Sequence, residues 1–311
     1  MSGERLCLSA LFGLSLALSA CDDPLVEAQI IEATRVLGAR VSVENDAERA
    51  WPRPGERIQV SWLVAAPAPA PGFGWAFSAC VAAPTTQGVP ACAASPFAEV
   101  ASQGITHEPP AFELVTPEEA ALNGAERLLL QGALCVSEQP ALAARLEDTR
   151  CEGERRLALL TVGIERDTGN RNPTLQDEPI SFDGADWPAP SGDWLEQSEC
   201  VASDAGPSLP LVTAGGPSPR IDARLSDSDR EPLQRFGEPT FEELWLSHFA
   251  DTGRLERALS IIEADSSELG VRVAWRPPRR VEAGKVARFY FVARDLRGGA
   301  DWIVRTACVV P

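Results

Sequence analysis

The chain has 311 residues, enough for two ordinary domains once an export signal is set aside. Hydrophobic residues make up 44% and charged residues 23%, which are normal values for a globular protein, so a collagenous, coiled-coil or wholly disordered chain is excluded. The 45 acidic and 28 basic residues give a net charge of −17. Nucleic acid and anionic lipid headgroups are therefore poor partners for this surface.

The N-terminus has the pattern of an export signal. Residues 1–20 contain an apolar stretch that is shorter than the about 20 residues needed by a membrane anchor helix. The stretch ends in Leu-Ser-Ala-Cys at residues 18–21, with small residues directly before Cys21. This tetrapeptide resembles the lipobox of bacterial lipoproteins.

The resemblance implies cleavage before Cys21 and lipidation of its thiol and new amino group. The expected partner is then a membrane, reached through Cys21 on the extracytoplasmic side, with the inner or outer membrane left open. An ordinary secretory peptide with an incidental cysteine is the alternative. The whole layout also resembles bacterial lipoproteins with immunoglobulin-like domains, a resemblance that implies no activity.

Six cysteines remain after the N-terminal region. An even number in an exported protein predicts three disulfides. The chain has no C-x2-C pair and only two histidines, so neither a metal site nor a cofactor is expected. Sequential pairing is favoured by proximity along the chain, and a bond between Cys80 and Cys135 is the rival. The six are Cys80, Cys92, Cys135, Cys151, Cys200 and Cys308.

Alternating hydrophobicity dominates the chain and predicts an all-β fold. A short helix is expected after a capping box at residues 116–119, ending at Asn123-Gly124, and Pro140 is a candidate start for a second. Many short strands separated by turn residues favour two immunoglobulin-like β-sandwich domains. The predicted strands are 36–43, 57–64, 75–81, 127–136, 156–164, 220–225, 243–249, 271–275, 286–294 and 302–309.

Domain boundaries follow from composition. Residues 21–34 are polar and are interpreted as a tether, and 35–182 as a β-sandwich with loop insertions. The Pro- and Gly-rich segment 183–199 is the predicted linker, and 200–311 is the second sandwich. Pairing of Cys200 with Cys308 would tie the start of this second domain to its last strand.

An internal similarity supports two related domains. In each half a glycine precedes an alternating strand, a glycine-bearing turn follows, and Trp and Cys lie on the returning strand. The first example ends at Trp75 and Cys80 and the second at Trp302 and Cys308. Both predict a β-hairpin, with chance similarity as the alternative.

Catalytic motifs are weak. Ser247, His248 and Asp251 include the residue types of a hydrolase triad, but neighbours on a strand point to opposite faces. His107 lies in a predicted loop. The sequence contains no nucleophile elbow, zinc-protease motif or P-loop. No catalytic residue is therefore predicted, and an envelope hydrolase using carboxylates is kept as an alternative.

Two segments are candidates for calcium. Residues 227–238 place acidic side chains with the spacing of a calcium loop, but Pro232 occupies the position that needs glycine. Asp167, Asn170 and Asn172 form an oxygen-rich turn, for which local backbone hydrogen bonding is the simpler interpretation. A calcium-dependent adhesive module is the second alternative function.

Two features suggest recognition. Trp51, Trp187 and Trp194 lie in Pro-rich or acidic segments and are candidates for exposed contact residues. The predicted C-terminal hairpin has a turn at 295–301, expected to be structural, with an exposed Arg297 loop that recognises an anion as the alternative. We therefore expect a lipid-anchored, non-catalytic binding or structural module whose partner is an envelope protein or a glycan.

Overall fold

The computed structural model describes residues 28–84, 88–141, 143, 148–175, 180–191, 193–225, 230–235 and 238–311. Cys21 and most of the segment after Pro140 lie outside these ranges. Among the described residues no helix is long and apolar enough to cross a membrane. The strands are β1 (Arg35–Val43), β2 (Arg57–Ala65), β3 (Phe73–Val81), β4 (Ala98–Ala101), β5 (Ala111–Val115), β6 (Arg127–Val136), β7 (Arg155–Gly163), β8 (Ile180–Phe182), β9 (Ala185–Asp186), β10 (Leu211–Thr213), β11 (Arg220–Arg224), β12 (Pro232–Arg235), β13 (Glu238–Phe241), β14 (Leu244–Ala250), β15 (Arg254–Leu255), β16 (Leu259–Ile262), β17 (Gly270–Arg276), β18 (Lys285–Arg294) and β19 (Ala300–Val310).

The first sandwich consists of two antiparallel sheets, ordered β1-β2-β5 and β4-β3-β6-β7. Alternation along β2 buries Ile58, Val60 and Trp62 on one face, as the sequence predicts. The Trp62 ring stacks on Phe77 of the opposite sheet, with 4.7 Å between ring centroids. The all-β prediction is therefore confirmed, and the strand pattern positions the core.

Two disulfides fasten loops to this sandwich. Cys80 is bonded to Cys92 and Cys135 to Cys151, which are the sequential pairs. Phe77 on β3 faces the core, and because successive side chains of a strand point to opposite faces, Cys80 on the same strand points away from the core. Cys80 and Cys135 are nevertheless fully buried. The bonded loops therefore cover the outer face of the four-stranded sheet.

The second sandwich consists of two five-stranded sheets in the described part of the chain, ordered β10-β19-β18-β14-β16 and β15-β17-β11-β8-β9. Its core is rich in aromatic side chains, and Trp187, Trp275 and Phe289 pack edge to face. A disulfide joins Cys200 to Cys308 on β19, so the predicted closure of this half is present.

The second sandwich includes residues before its predicted start at residue 200, and even before the predicted linker 183–199. Strands β8 and β9 pair with each other, and β8 also pairs with β11. Leu175 already belongs to the second core. The segment interpreted as a tether also contributes, because Ile30 bridges to Ala250 and Ile31 is buried.

The helix of the first sandwich is shorter than expected. It spans Glu119–Leu122, and the predicted capping box is wrong, because no side chain caps its N-terminus. The Thr116 hydroxyl instead donates to the backbone carbonyls of Arg53 and Glu56, at 2.9 and 3.1 Å. Asn123 ends the helix in the left-handed conformation.

The internal similarity does not correspond to a repeated hairpin. Strands β18 and β19 pair along their whole length, as predicted for the C-terminal example. Strands β2 and β3 lie in different sheets of the first sandwich. The proline-rich connection between them, residues 66–72, crosses from one sheet to the other, which periodicity along the chain cannot indicate.

Candidate functional site

The tip of the β18–β19 hairpin, residues 295–299, reaches the first sandwich. Asp295 is buried, and one of its oxygens accepts the backbone N–H groups of residues 297–299 at 2.7, 2.9 and 2.9 Å. The other accepts the side-chain amide of Asn170 at 2.6 Å. The hairpin tip is therefore held in shape and fastened to the first sandwich by the same carboxylate.

We call this contact between the hairpin tip, residues 295–299, and the first sandwich the joint. Arg297 makes further contacts there. Its Nη1 lies 2.6 Å from Glu231 Oε2, and its Nη2 donates to the carbonyl of Gly169. Its guanidinium lies 5.3 Å from the ring centroid of Trp51, whose indole N–H donates to the Arg297 carbonyl at 3.1 Å. The interpretation of Arg297 as a free anion-binding loop is wrong, because its charge is already paired with Glu231 and its guanidinium also bonds the Gly169 carbonyl of the first sandwich.

The three tryptophans that are candidates for exposed contact residues, Trp51, Trp187 and Trp194, all pack against other parts of the protein. The Trp51 ring lies against Gly163, where a Cβ would come within 2.6 Å of the ring. Trp187 is buried and its indole N–H donates to the Thr306 carbonyl at 2.9 Å. Trp194 packs against the cluster that contains the Cys200–Cys308 disulfide. Trp187 is therefore enclosed, Trp194 is partly buried, and Trp51 lines the cleft described below.

The oxygen-rich turn around Gly169 also belongs to the joint. Asn170 and Asn172 are buried, and Asn172 donates to the Val41 carbonyl at 2.7 Å while its Oδ1 accepts the N–H of Ala300 at 3.1 Å. These amides thus join the two sandwiches, and Asn172 Oδ1 is occupied, whereas Asn170 Oδ1 has no hydrogen-bond partner among the described residues. Asp167 is separated from them and is exposed.

Glu242 is an unfavourably buried acid within the joint. Its side chain is 2% exposed, and its Oε1 accepts the backbone N–H of Glu231 at 3.0 Å. Among the described residues Oε2 has no hydrogen-bond partner and lies 3.9 Å from Arg297 Nη1. Burial raises the pKa of Glu242 to about 8, helped by the charge of Asp295, whose own pKa burial also raises. Glu242 is therefore protonated at neutral pH.

A cleft of about 590 Å³ opens beside this joint. One wall is formed by the start of β6, the end of β7 and the loop that follows β7. The other wall is formed by the tip of the β18–β19 hairpin. Clefts of this size between domains are the usual place for small-ligand binding. The lining residues are Trp51, Glu126, Arg127, Thr161, Gly163, Ile164, Arg166, Asp167, Thr168, Leu296, Arg297 and Gly298.

The candidate triad is not assembled. His248 is fully buried and its Nε2 lies 3.0 Å from the hydroxyl of Ser260, not from Ser247. Asp251 is paired with Arg288, with 2.9 Å between Oδ2 and Nη1. Burial lowers the pKa of His248 to about 3, so it is neutral and sealed from solvent. His248 thus has the environment of a core residue.

The remaining candidates do not form a site either. His107 lies on the exposed loop between β4 and β5. Residues 227–229 of the candidate calcium loop lie outside the described residues. In the described ranges the one group with metal-ligand spacing is Cys135, Glu138 and Cys151, and both of its sulfurs are consumed by a disulfide.

Sequence reasoning missed the cleft itself. Arg127 opens β6, Thr161 is on β7, and Arg166 and Thr168 follow β7, so no local motif joins them. Of the polar residues that line the cleft, the sequence singles out Asp167 as part of an oxygen-rich turn and Arg297 as part of a hairpin loop, and it does not bring the two together. Strand pairing between β6 and β7 places Arg127 opposite Gly163, a juxtaposition that spacing along the chain does not indicate.

Comparison with protein-family models and with curated proteins finds no match for this chain.

Proposed function

We propose that this protein is an extracytoplasmic, lipid-anchored binding module of two immunoglobulin-like sandwiches that holds its ligand in the cleft at their joint. The observation that carries the proposal is the cleft of about 590 Å³, lined by residues of both sandwiches beside the contacts of Asp295 with Asn170 and of Arg297 with Gly169 and Trp51. A preformed site favours binding, because little conformational entropy is lost when a ligand enters.

The disulfides support an extracytoplasmic location. The described chain contains three cystines, and such bonds form and persist in oxidising compartments. The anchor is proposed at Cys21, seven residues before Ala28, where the structure begins to be described. An extended chain of that length spans at most about 24 Å, so the sandwiches would stay close to the membrane surface.

A non-catalytic role is supported by the places of the strongly perturbed acids and bases. Glu242, Asp295 and His248 are buried, and the cleft lining includes none of them. Perturbed groups of an active site normally face the cavity that holds the substrate. Those of this protein face its interior, where they join strands and sandwiches.

One observation favours the alternative of an envelope hydrolase. Glu126 and Asp167 both line the cleft, and hydrolysis of a glycosidic bond requires two carboxyl groups on either side of it. Incubation of a bound ligand with the wild type and with Glu126→Gln decides between the two roles. Cleavage that the variant abolishes would replace the binding proposal by the enzyme.

Metabolic labelling with an alkyne fatty acid tests the anchor. The wild-type chain should be labelled and should sediment with membranes, and Cys21→Ala should lose both properties. Cys7→Ala is the matched control, since Cys7 lies within the predicted signal peptide and should be removed with it. Membrane retention and labelling of Cys21→Ala would overturn the lipid-anchored proposal.

A further inference from the structure

The cleft beside the joint contains one arginine that its neighbours leave free. Arg166 is held by Glu119, with 2.8 Å between Nη2 and Oε1, and Arg297 is held by Glu231. The exposed Arg127 side chain has no hydrogen bond or ion pair among the described residues. On a chain of net charge −17, an unpaired guanidinium at a cleft is a site for an anionic group.

The other polar side chains of the cleft select the kind of anion. Glu126 and Asp167 line it beside the arginine, and no partner of their carboxylates is found in the described part of the chain. Two carboxylates repel a phosphate group, whose charge is about −1.5 to −2 at pH 7, more strongly than a ligand group that carries a single negative charge. They accept hydrogen bonds from hydroxyl groups, and so favour a ligand that joins one carboxylate to several hydroxyls.

Two hydroxyls and an apolar rim extend this complementarity. Thr161 and Thr168 line the same cleft and offer both donors and acceptors. Leu296 is 58% exposed at the hairpin tip, and an edge of Trp51 is fixed by its indole hydrogen bond to the Arg297 carbonyl. Apolar edges beside hydroxyl partners match the C–H and O–H groups that alternate around a sugar ring.

We propose that the cleft binds a hexuronic acid unit of an acidic glycan, with the uronate carboxylate paired with Arg127. The ring hydroxyls bond the acids and threonines of the cleft wall, and the ring C–H groups contact Leu296 and the edge of Trp51. This inference rests on the proposed binding function and names its ligand class. It involves no covalent step.

Calorimetric titration of the full-length protein, purified in detergent, tests the ligand class. The probes are trimers of galacturonic acid and of glucuronic acid, the corresponding neutral hexose trimers, and inorganic phosphate. We expect a uronate trimer to bind and the neutral trimers to bind roughly 10- to 100-fold more weakly, because they lack the charged partner of Arg127. Equal binding of neutral trimers, or of phosphate, would overturn the proposal.

Substitution at the cleft tests the site. Arg127→Gln should weaken uronate binding by roughly 10- to 100-fold. Arg220→Gln is the matched control, because Arg220 is likewise an exposed first residue of a strand but lies outside the cleft. Its affinity should equal that of the wild type, and near-identical circular dichroism spectra of both variants would exclude misfolding.

The results separate this inference from the function on which it rests. If neither uronate trimer binds, or if Arg127→Gln binds like the wild type, the proposed ligand and site are wrong. The labelling of Cys21 does not depend on uronate. A labelled, membrane-bound protein that does not bind uronates would therefore keep the proposed lipid anchor and lose this ligand class.

Discussion

Replacing Glu242 with Gln removes a titratable group from the joint while keeping its shape. The Glu242 side chain is 2% exposed, and Oε1 accepts a backbone N–H that the amide oxygen of Gln also accepts. Its Oε2 has no hydrogen-bond partner among the described residues. The substitution therefore retains the acceptor and eliminates the possibility of a buried negative charge.

The magnitude follows from the pKa. Burial raises the pKa of Glu242 to about 8 in the folded protein, whereas the unfolded chain ionises near the ordinary value of 4.5. Between these values the folded state holds a proton that the unfolded state has released, so the free energy of unfolding falls as the pH rises. At about 1.4 kcal/mol per pKa unit, the whole interval is worth roughly 5 kcal/mol. Glu242→Gln should therefore exceed the wild type in stability by roughly 3 kcal/mol at neutral pH and by roughly 5 kcal/mol above about pH 8.

Urea unfolding followed by tryptophan fluorescence measures this difference at about pH 5, pH 7 and pH 9. The two curves should coincide near the acidic end and separate progressively. Glu238→Gln is the matched control, since Glu238 is an exposed acid at the start of β13, which ends one residue before Glu242, and its replacement should leave the pH dependence unchanged. If Glu242→Gln and the wild type lose stability in parallel as the pH rises, the assignment of a protonated Glu242 is wrong.

Three further perturbations test the sandwiches. Replacing Cys200 and Cys308 with Ala should cost about 5 kcal/mol of unfolding free energy in non-reducing urea titrations, because their bond closes a chain separation of 108 residues. A loss below that of the bond with separation 12 would contradict the loop-entropy reasoning. Gly299→Val should lower the free energy of unfolding by at least about 2 kcal/mol, since a Cβ at this position would lie 2.6 Å from a backbone carbonyl oxygen. Gly206→Val is the control and should change the melting temperature little, because a Cβ there would have no atom within 4 Å. Arg288→Met should lower the free energy of unfolding by about 3–5 kcal/mol, because it leaves the buried Asp251 carboxylate unpaired. Neutralising Asp251 as well should restore part of this loss. Purely additive effects of the two substitutions would show that the two side chains do not interact.

Local patterns were reliable where one face of a strand is buried. Alternation along β2 indicated that strand, because the side-chain period of two is a property of the chain itself, whereas β18 is buried on both faces along nearly its whole length. The hairpin at the C-terminus was predictable from its glycine-bearing turn, in which Gly298 has a φ of +114°. The sequential disulfides also followed from proximity, since short loops close at the lowest entropic cost.

Predictions failed where a residue has two possible partners. Thr116 has the residue type and spacing of a helix cap, but its hydroxyl bonds the carbonyls of Arg53 and Glu56 on another segment. Asn170 has the appearance of a local turn residue, yet its amide bonds Asp295, 125 residues away. The sequence determines which groups can donate or accept hydrogen bonds, but the tertiary structure determines which partner each group meets.

The sequence by itself determined the all-β class, most of the long strands and the pairing of cysteines that lie close along the chain. These features depend on the alternation of side chains and on chain length, both of which are local quantities. Only the tertiary structure decided which strands share a sheet, that Arg297 is paired with Glu231, and that Arg127 lies unpaired in a cleft. The physical reason is that β-sandwich contacts join residues far apart in sequence, so the joint and its cleft exist only once both sandwiches have formed.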